Sequence, residues 1–174
     1  ISRKFQIPNI YGRQTVWENL ALAGQPHKNS LSNLVRPLSL ILDKSIVDLL
    51  HDVKLNQRLD VIADELSHGE KQWLEICMTL ACQPRLLLLD EPTAGLTTEE
   101  TQRTAHLIHQ IVAEQKIPII VIEHDIGFVR ALNSQVTVLH KGHVLAEGSM
   151  AEIEGNEAVQ SVYLGRSIPM EQAI

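Results

Sequence analysis

Four leucines run directly into two carboxylates in Leu86-Leu87-Leu88-Leu89-Asp90-Glu91-Pro92. A continuous apolar run of this kind reads as a buried parallel strand, which leaves Asp90 and Glu91 at its end. One carboxylate in such a place can hold a magnesium shell while its neighbour orients or deprotonates a water. Upstream, Leu66-Ser67-His68-Gly69-Glu70 contains Ser-x-x-Glu, a capping box that starts a helix just past Ser67. The backbone N–H groups at a helix start favour a docked phosphate. A phosphate-reading helix start followed by a magnesium-type strand end is the chemistry of a nucleoside triphosphate. A third cluster, Glu123-His124-Asp125, closes a second apolar run over 117–122.

The elements that must position these groups are legible in outline. Residues 1–6 read as the end of a strand, with a turn around Pro8 and Gly12. Thr15-Val16-Trp17-Glu18 is another capping box, and Gly24, Pro26 and Asn29 break the helix it starts. Residues 31–65 look helical in pieces, with Ile46, Val47, Leu49, Leu50 and Val53 at helical spacing. No strand is predicted between 11 and 66, so this stretch is expected to be a helical subdomain. After Ser67, Trp73, Ile76, Cys77, Leu80 and Ala81 mark one face of a helix, and residues 85–89 the buried strand. A second helix is expected over 98–114, with Leu107, Ile108, Ile111 and Val112 inward, before the strand at 117–122. Helix–strand alternation predicts a parallel sheet with right-handed crossovers and ligands beyond the carboxyl ends of its strands. Both acidic clusters lie there. Residues 136–139 and 144–146 read as a hairpin around Lys141-Gly142. Ser149-x-x-Glu152 caps a short helix, a last helix covers 157–164, and 165–174 form a tail.

Bulk properties narrow the classes. The chain has 174 residues, 44% hydrophobic and 21% charged, a globular balance with room for a core. A net charge of −6 argues against a general nucleic-acid footprint. No apolar run approaches the roughly 20 residues that span a bilayer. Cys77 and Cys82, five apart on a predicted helix, read as reduced thiols.

These motifs carry a resemblance. Leu66-Ser67-His68-Gly69-Glu70 resembles the signature loop of ATP-binding cassette (ABC) ATPases, 86–91 their Walker B strand, and Ala94-Gly95-Leu96-Thr97 their D-loop. His124 stands at their switch histidine and Gln6 at their Q-loop glutamine. The stretches 67–76, 123–129 and 138–148 are similar to the ATPase subunits of urea and branched-chain amino-acid importers, the urea branch foremost. The resemblance implies an α/β, P-loop NTPase-like nucleotide-binding domain whose parallel sheet carries an inserted helical subdomain, with N-terminal strands missing. It divides the chain into a strand end and Q-loop (1–10), helical subdomain (11–66), catalytic core (67–164) and tail (165–174).

The same resemblance implies roles. ATP and Mg2+ are the cofactors. Asp90 and Gln6 would hold the metal, Glu91 would polarise the attacking water, and His124 would contact the γ-phosphate. Ser67, Gly69, Glu70 and Gly95 would join in nucleotide binding, Ser67 and Gly69 on ATP held by a second ATPase subunit. Transmembrane permease subunits would meet the helical subdomain through Trp17, Leu20 and the loop from Gln6 to Gly12. That places the protein in the cytoplasm, peripheral on the inner face of the cell membrane, with no nucleic-acid partner. Departures are specific. His68 stands where Gly is usual, Glu70 where Gln is usual, and Thr97 where Asp is common. The sequence has no Gly-x-x-x-x-Gly-Lys-Ser/Thr loop and no Gly-Lys pair. The expectation is a chain cut upstream of the Q-loop, with weak or absent ATP binding by these residues alone.

Plainer readings stand beside the chemical ones. Asp90-Glu91 could cap a strand–turn at Pro92, and Ser67 could be a helix cap alone. His106 and His109 share a helical face without a third ligand. His140 and His143 flank a turn, and Trp17 and Trp73 read as packing residues. A non-catalytic cassette remnant serving as an interaction module is the alternative function; a soluble cassette acting on nucleic acid is a third, disfavoured by the acidic charge.

Overall fold

A computed structural model describes residues 2–4, 10–24, 42 and 44–163. Gln6, residues 31–41 of the expected helical pieces and the tail at 165–174 lie outside the described residues. The chain forms two units, residues 1–124 and 125–174.

In the first unit the described elements are β1 (Ser2–Lys4), α1 (Val16–Ala23), α2 (Lys44–Asp52), α3 (His68–Ala81), β2 (Leu87–Asp90), α4 (Thr98–Gln110) and β3 (Ile119–Ile122). The strands form one parallel sheet in the order β1-β2-β3, with Ser2 opposite Leu87 and Asp90 opposite Ile122. Thr15 and Ser67 cap α1 and α3 with reciprocal capping boxes, as their spacing predicts. Between 11 and 66 the described residues hold no strand, only an isolated bridge between Thr15 and Ile62. Asn19 is fully buried; its side chain accepts from the Tyr11 N–H at 2.8 Å and donates to the Thr15 carbonyl at 2.9 Å. That fixes the approach to α1.

Helix α3 is the centre of the core. It packs against α1, α2 and β1. The expected face (Trp73, Ile76, Cys77, Leu80, Ala81) is buried, but so are Gln72, Leu74, Glu75 and Met78. The helix is enclosed on more than one side, which a single amphipathic stripe did not predict. Burial pushes the Cys77 thiol up to about 12, whereas Cys82 is exposed; both are free thiols.

Three expectations need correction. Val112 is exposed, because α4 passes at Ile111–Gln115 into a looser π-helical turn that rotates this residue off the α-helical face. Strand β3 is not buried on both faces: Ile120 and Ile122 are 54% and 60% exposed. Leu20 is fully buried, so it is core and cannot meet a partner; Tyr11 and Leu22 are the exposed apolar residues near it.

The second unit begins with α5 (Ile126–Leu132), an element the sequence reading had not delimited. The Asp125 side chain caps it by accepting from Phe128 N–H at 3.1 Å, and Asn133 ends it in the left-handed region. Strands β4 (Val136–His140) and β5 (His143–Gly148) pair antiparallel. Lys141 and Gly142 both have positive φ, the conformation a tight two-residue hairpin turn requires. Ser149 caps α6 (Met150–Gly155), and α7 (Glu157–Tyr163) follows. Arg130 pairs with Glu154, and the Tyr163 hydroxyl donates to the Leu139 carbonyl at 2.5 Å.

Helices α3 and α4 are joined by a buried polar contact. The Trp73 indole N–H donates to Thr104 Oγ1 at 3.0 Å, and that hydroxyl donates to the Glu100 carbonyl at 2.9 Å. Thr104→Val keeps the shape and strands the indole N–H. It is expected to lower stability by about 1–3 kcal/mol in urea unfolding, and by much less in a Trp73→Phe background.

Candidate nucleotide and catalytic site

Parallel pairing sets the site. Because Asp90 lies opposite Ile122, the chain leaves β2 and β3 at the same level. Glu91 N–H donates to the Ile122 carbonyl at 2.9 Å and extends the ladder by one residue. The backbone of Glu91 then turns into the left-handed region, φ +44°, which is costly for a residue with a side chain. Its carboxylate comes within 3.4 Å of His124 Nδ1. Glu91, expected to polarise the attacking water, and His124, expected to contact the γ-phosphate, are thus together, with His124 largely exposed and Glu91 partly so.

A buried carboxylate fastens this arrangement. Glu123, its side chain 1% exposed, accepts from the Thr93 N–H at 2.9 Å and the Thr93 hydroxyl at 2.5 Å. Its other oxygen accepts from the His124 N–H at 3.1 Å. The loop after β2 and the loop after β3 are therefore tied by one side chain. The acidic cluster was visible in the sequence, but nothing there singled out Glu123 or its partner Thr93.

Asp90 pairs with Arg3 across β1 and β2, NH2 to Oδ2 at 2.8 Å. Both side chains are partly exposed, so the carboxylate stays accessible at the strand end. A hard-oxygen pair of this kind, Asp90 beside Glu91, suits a magnesium ion that takes one or two protein carboxylates and fills its shell with water and phosphate oxygens. Gln6, the other expected metal residue, lies outside the described residues.

The start of α3 lies in the same unit. Ser67 Oγ accepts from Glu70 N–H at 3.2 Å, and Glu70 Oε2 accepts from Ser67 N–H at 2.8 Å. Arg58 holds the other Glu70 oxygen at 3.3 Å, so an acidic residue there carries its own counter-charge. Ser67 is exposed, but Gly69 is buried. A Cβ at Gly69 would sit 2.4 Å from Glu100 Oε1, so a larger residue there would have to displace the carboxylate that accepts from the Thr97 N–H. Gly95 has φ +74° and lies against the His68 ring. His68 donates to the Ala94 carbonyl at 2.9 Å, a contact the sequence reading had not foreseen.

The family profile described as "ABC transporter" matches residues 1–94, and that described as "Branched-chain amino acid ATP-binding cassette transporter" matches 143–168. The high-affinity branched-chain amino acid transport ATP-binding protein BraF of Pseudomonas aeruginosa is 30% identical over 174 residues, covering 96% of this chain and 68% of BraF. The protein LivG of Escherichia coli K12, which carries the same description, is 33% identical over 175 residues with the same coverages. The crystal structure of the ADP conformation of MJ1267, an ATP-binding cassette of an ABC transporter, superposes with a TM-score of 0.74 at 25% identity, covering 95% of this chain and 68% of that one.

Glu100 gives the site a pH signature. Its carboxyl is held below the ordinary 4.5, first by the Thr97 N–H, then by the Thr97 hydroxyl, with lesser help from His68 and Arg103. A carboxyl lowered on folding stabilises fully above its unfolded pKa and loses that contribution as pH falls through the folded value. The stability gap between wild type and Glu100→Gln, measured by urea unfolding, should therefore be larger at pH 6 than at pH 3.

Proposed function

This chain belongs to the ABC transporter family, as an ATP-hydrolysing subunit, and on that premise we propose that it powers an importer of branched-chain amino acids. The observation that carries the proposed chemistry is the 3.4 Å approach of His124 Nδ1 to Glu91 Oε1 at the ends of neighbouring parallel strands. Relatives named for branched-chain amino-acid transport support the substrate class. The motif resemblance keeps urea as the competing cargo. The two differ in the binding protein that delivers cargo, so uptake assays with both substrates separate them.

Asp90 would hold Mg2+ through its carboxylate, and the metal with ATP supplies charge neutralisation at the β- and γ-oxygens. Glu91 would orient a water for in-line attack and draw its proton, its turned-out backbone presenting the carboxylate beyond the strand end. His124 would hold Glu91 in place from one side and contact the γ-phosphate from the other. Glu123 would keep both loops in register. The exposed start of α3, with Ser67, Gly69 and Glu70, and the turn at Gly95 would close the nucleotide site of a second ATPase subunit. Transmembrane permease subunits would dock on the helical subdomain, 11–66, near Trp17, Tyr11 and Leu22. Such docking puts the chain on the cytoplasmic face of the membrane. Among the described residues no helix is long and apolar enough to cross it. Because residues 1–174 contain no Gly-Lys pair, the 174-residue polypeptide by itself is proposed to bind ATP weakly.

In the assembled transporter, Glu91→Gln should cut ATP turnover by about 100-fold or more while nucleotide affinity stays within a few fold. Turnover unchanged in that variant would overturn the assignment of the water-polarising residue.

A further inference from the structure

His68 occupies a position where related signature loops usually carry glycine, and its side chain reaches a different segment of the chain. Its Nε2 lies 2.9 Å from the Ala94 carbonyl oxygen. A carbonyl only accepts, so the ring proton is on Nε2. Gly95, the next residue, turns through φ +74°, and a Cβ there would come within 3.3 Å of the His68 ring. The ring therefore sits flush against the turn as well as bonded to it. Behind it, the Gln72 amide is fully buried, its nitrogen assigned 3.4 Å from His68 Nε2 and its Oε1 buried with no hydrogen-bond partner. His68 thus lies between Ala94 on one segment and the buried Gln72 amide, one helical turn on in α3.

We propose that His68 is a positioning residue, tying the start of α3 to the 94–97 turn so that the signature segment and the D-loop move as one body. This rests on the assignment of those two segments given above. Glycine at position 68 has no side chain to make the link, so chains with the usual residue must hold the turn by other contacts. The turn's backbone–backbone bonds include Ala94 N–H to the Glu91 carbonyl at 3.2 Å and Leu96 N–H to the Thr93 carbonyl at 3.1 Å. The first of them ends on the proposed water-polarising residue. A shift of Ala94 is thereby passed to Glu91, and holding Ala94 from α3 restrains both.

Amide hydrogen exchange on the full chain tests the link at Ala94 and Leu96. His68→Gln keeps a donor at the reach of Nε2; His68→Asn reaches only as far as Nδ1; His68→Gly removes the side chain. Exchange at the two amides should rise about 3- to 10-fold in His68→Gly and His68→Asn and stay within about 2-fold in His68→Gln. Melting temperatures confirm that each variant is folded, as expected for an exposed position. Equal exchange in all four proteins, or His68→Gln behaving like His68→Gly, overturns the proposal. In the assembled transporter, kcat should fall about tenfold in His68→Gly with little change in KM, and recover in His68→Gln. Glu91→Gln in the same assay separates the two readings. If it abolishes turnover while the His68 series is flat in exchange and kcat, the positioning role fails and the function stands. If it leaves turnover intact, the site assignment fails whatever the exchange shows.

Discussion

The parallel pairing of β2 with β3 is the constraint on which the rest depends. It places Asp90 level with Ile122, so two loops leave the sheet side by side and in the same direction. Residues just past the two strand ends, Glu91 and His124, are thereby brought within reach of each other. An antiparallel partner would have sent one loop to the opposite edge, and Glu91 and His124 would be a strand's length apart. Pairing alone leaves both loops free to splay, and Glu123 removes that freedom. Burying a carboxylate costs several kcal/mol unless its lone pairs are occupied. Here three donors from Thr93 and His124 occupy them, and charge-assisted bonds of that kind are among the stronger ones. The cost of holding Glu91 at positive φ, of order 1–3 kcal/mol, is then sustained by a loop anchored at both ends.

A second tension lies where α3 and α4 begin. Their starts are close, since the place of a Gly69 side chain is taken by the Glu100 carboxylate. Two helix starts present two sets of unbonded N–H groups and two positive dipole ends. The sequence answers with acidic residues in both first turns, Glu70 in one and Glu99 and Glu100 in the other, and Glu70 and Glu100 close capping boxes. Arg58 balances the first, and His68 lies near the second. Glycine at 69 and a carboxylate at 100 are thus one packing solution, and a chemical use of Gly69 has to coexist with it.

Local signals were the legible part of this fold. The capping boxes at Thr15, Ser67 and Ser149, the apolar run ending at Asp90 and the Lys141-Gly142 turn each act over a few residues, and the structure follows them. Resemblance marked Glu91 and His124 as site candidates, and the structure places their side chains 3.4 Å apart. What escaped the sequence depends on contacts made far along the chain. Glu123 gains its role from Thr93, thirty positions away, and Asp90 meets Arg3 across eighty-seven. Helix α5 has seven residues, too few to display a period, and its only start signal is Asp125. Val112 fits the α-helical period that the chain abandons at Ile111. Ile120 and Ile122 belong to an apolar run that implies two covered faces, yet both are exposed.

Arg3 shows how such a distant contact bears on the chemistry. A cation beside a carboxylate proposed to hold a metal would defeat that purpose if the pair were strong. Arg3 and Asp90 are 49% and 26% exposed, and ion pairs in water of that kind contribute at most about 1 kcal/mol. The guanidinium touches Oδ2, and a doubly charged ion would compete on favourable terms for a carboxylate held so loosely. Arg3, on β1, touches Asp90 Oδ2, while Glu91, turned by its left-handed backbone, approaches His124 in the loop after β3. The two adjacent carboxylates therefore have different partners, as the different tasks proposed for them require.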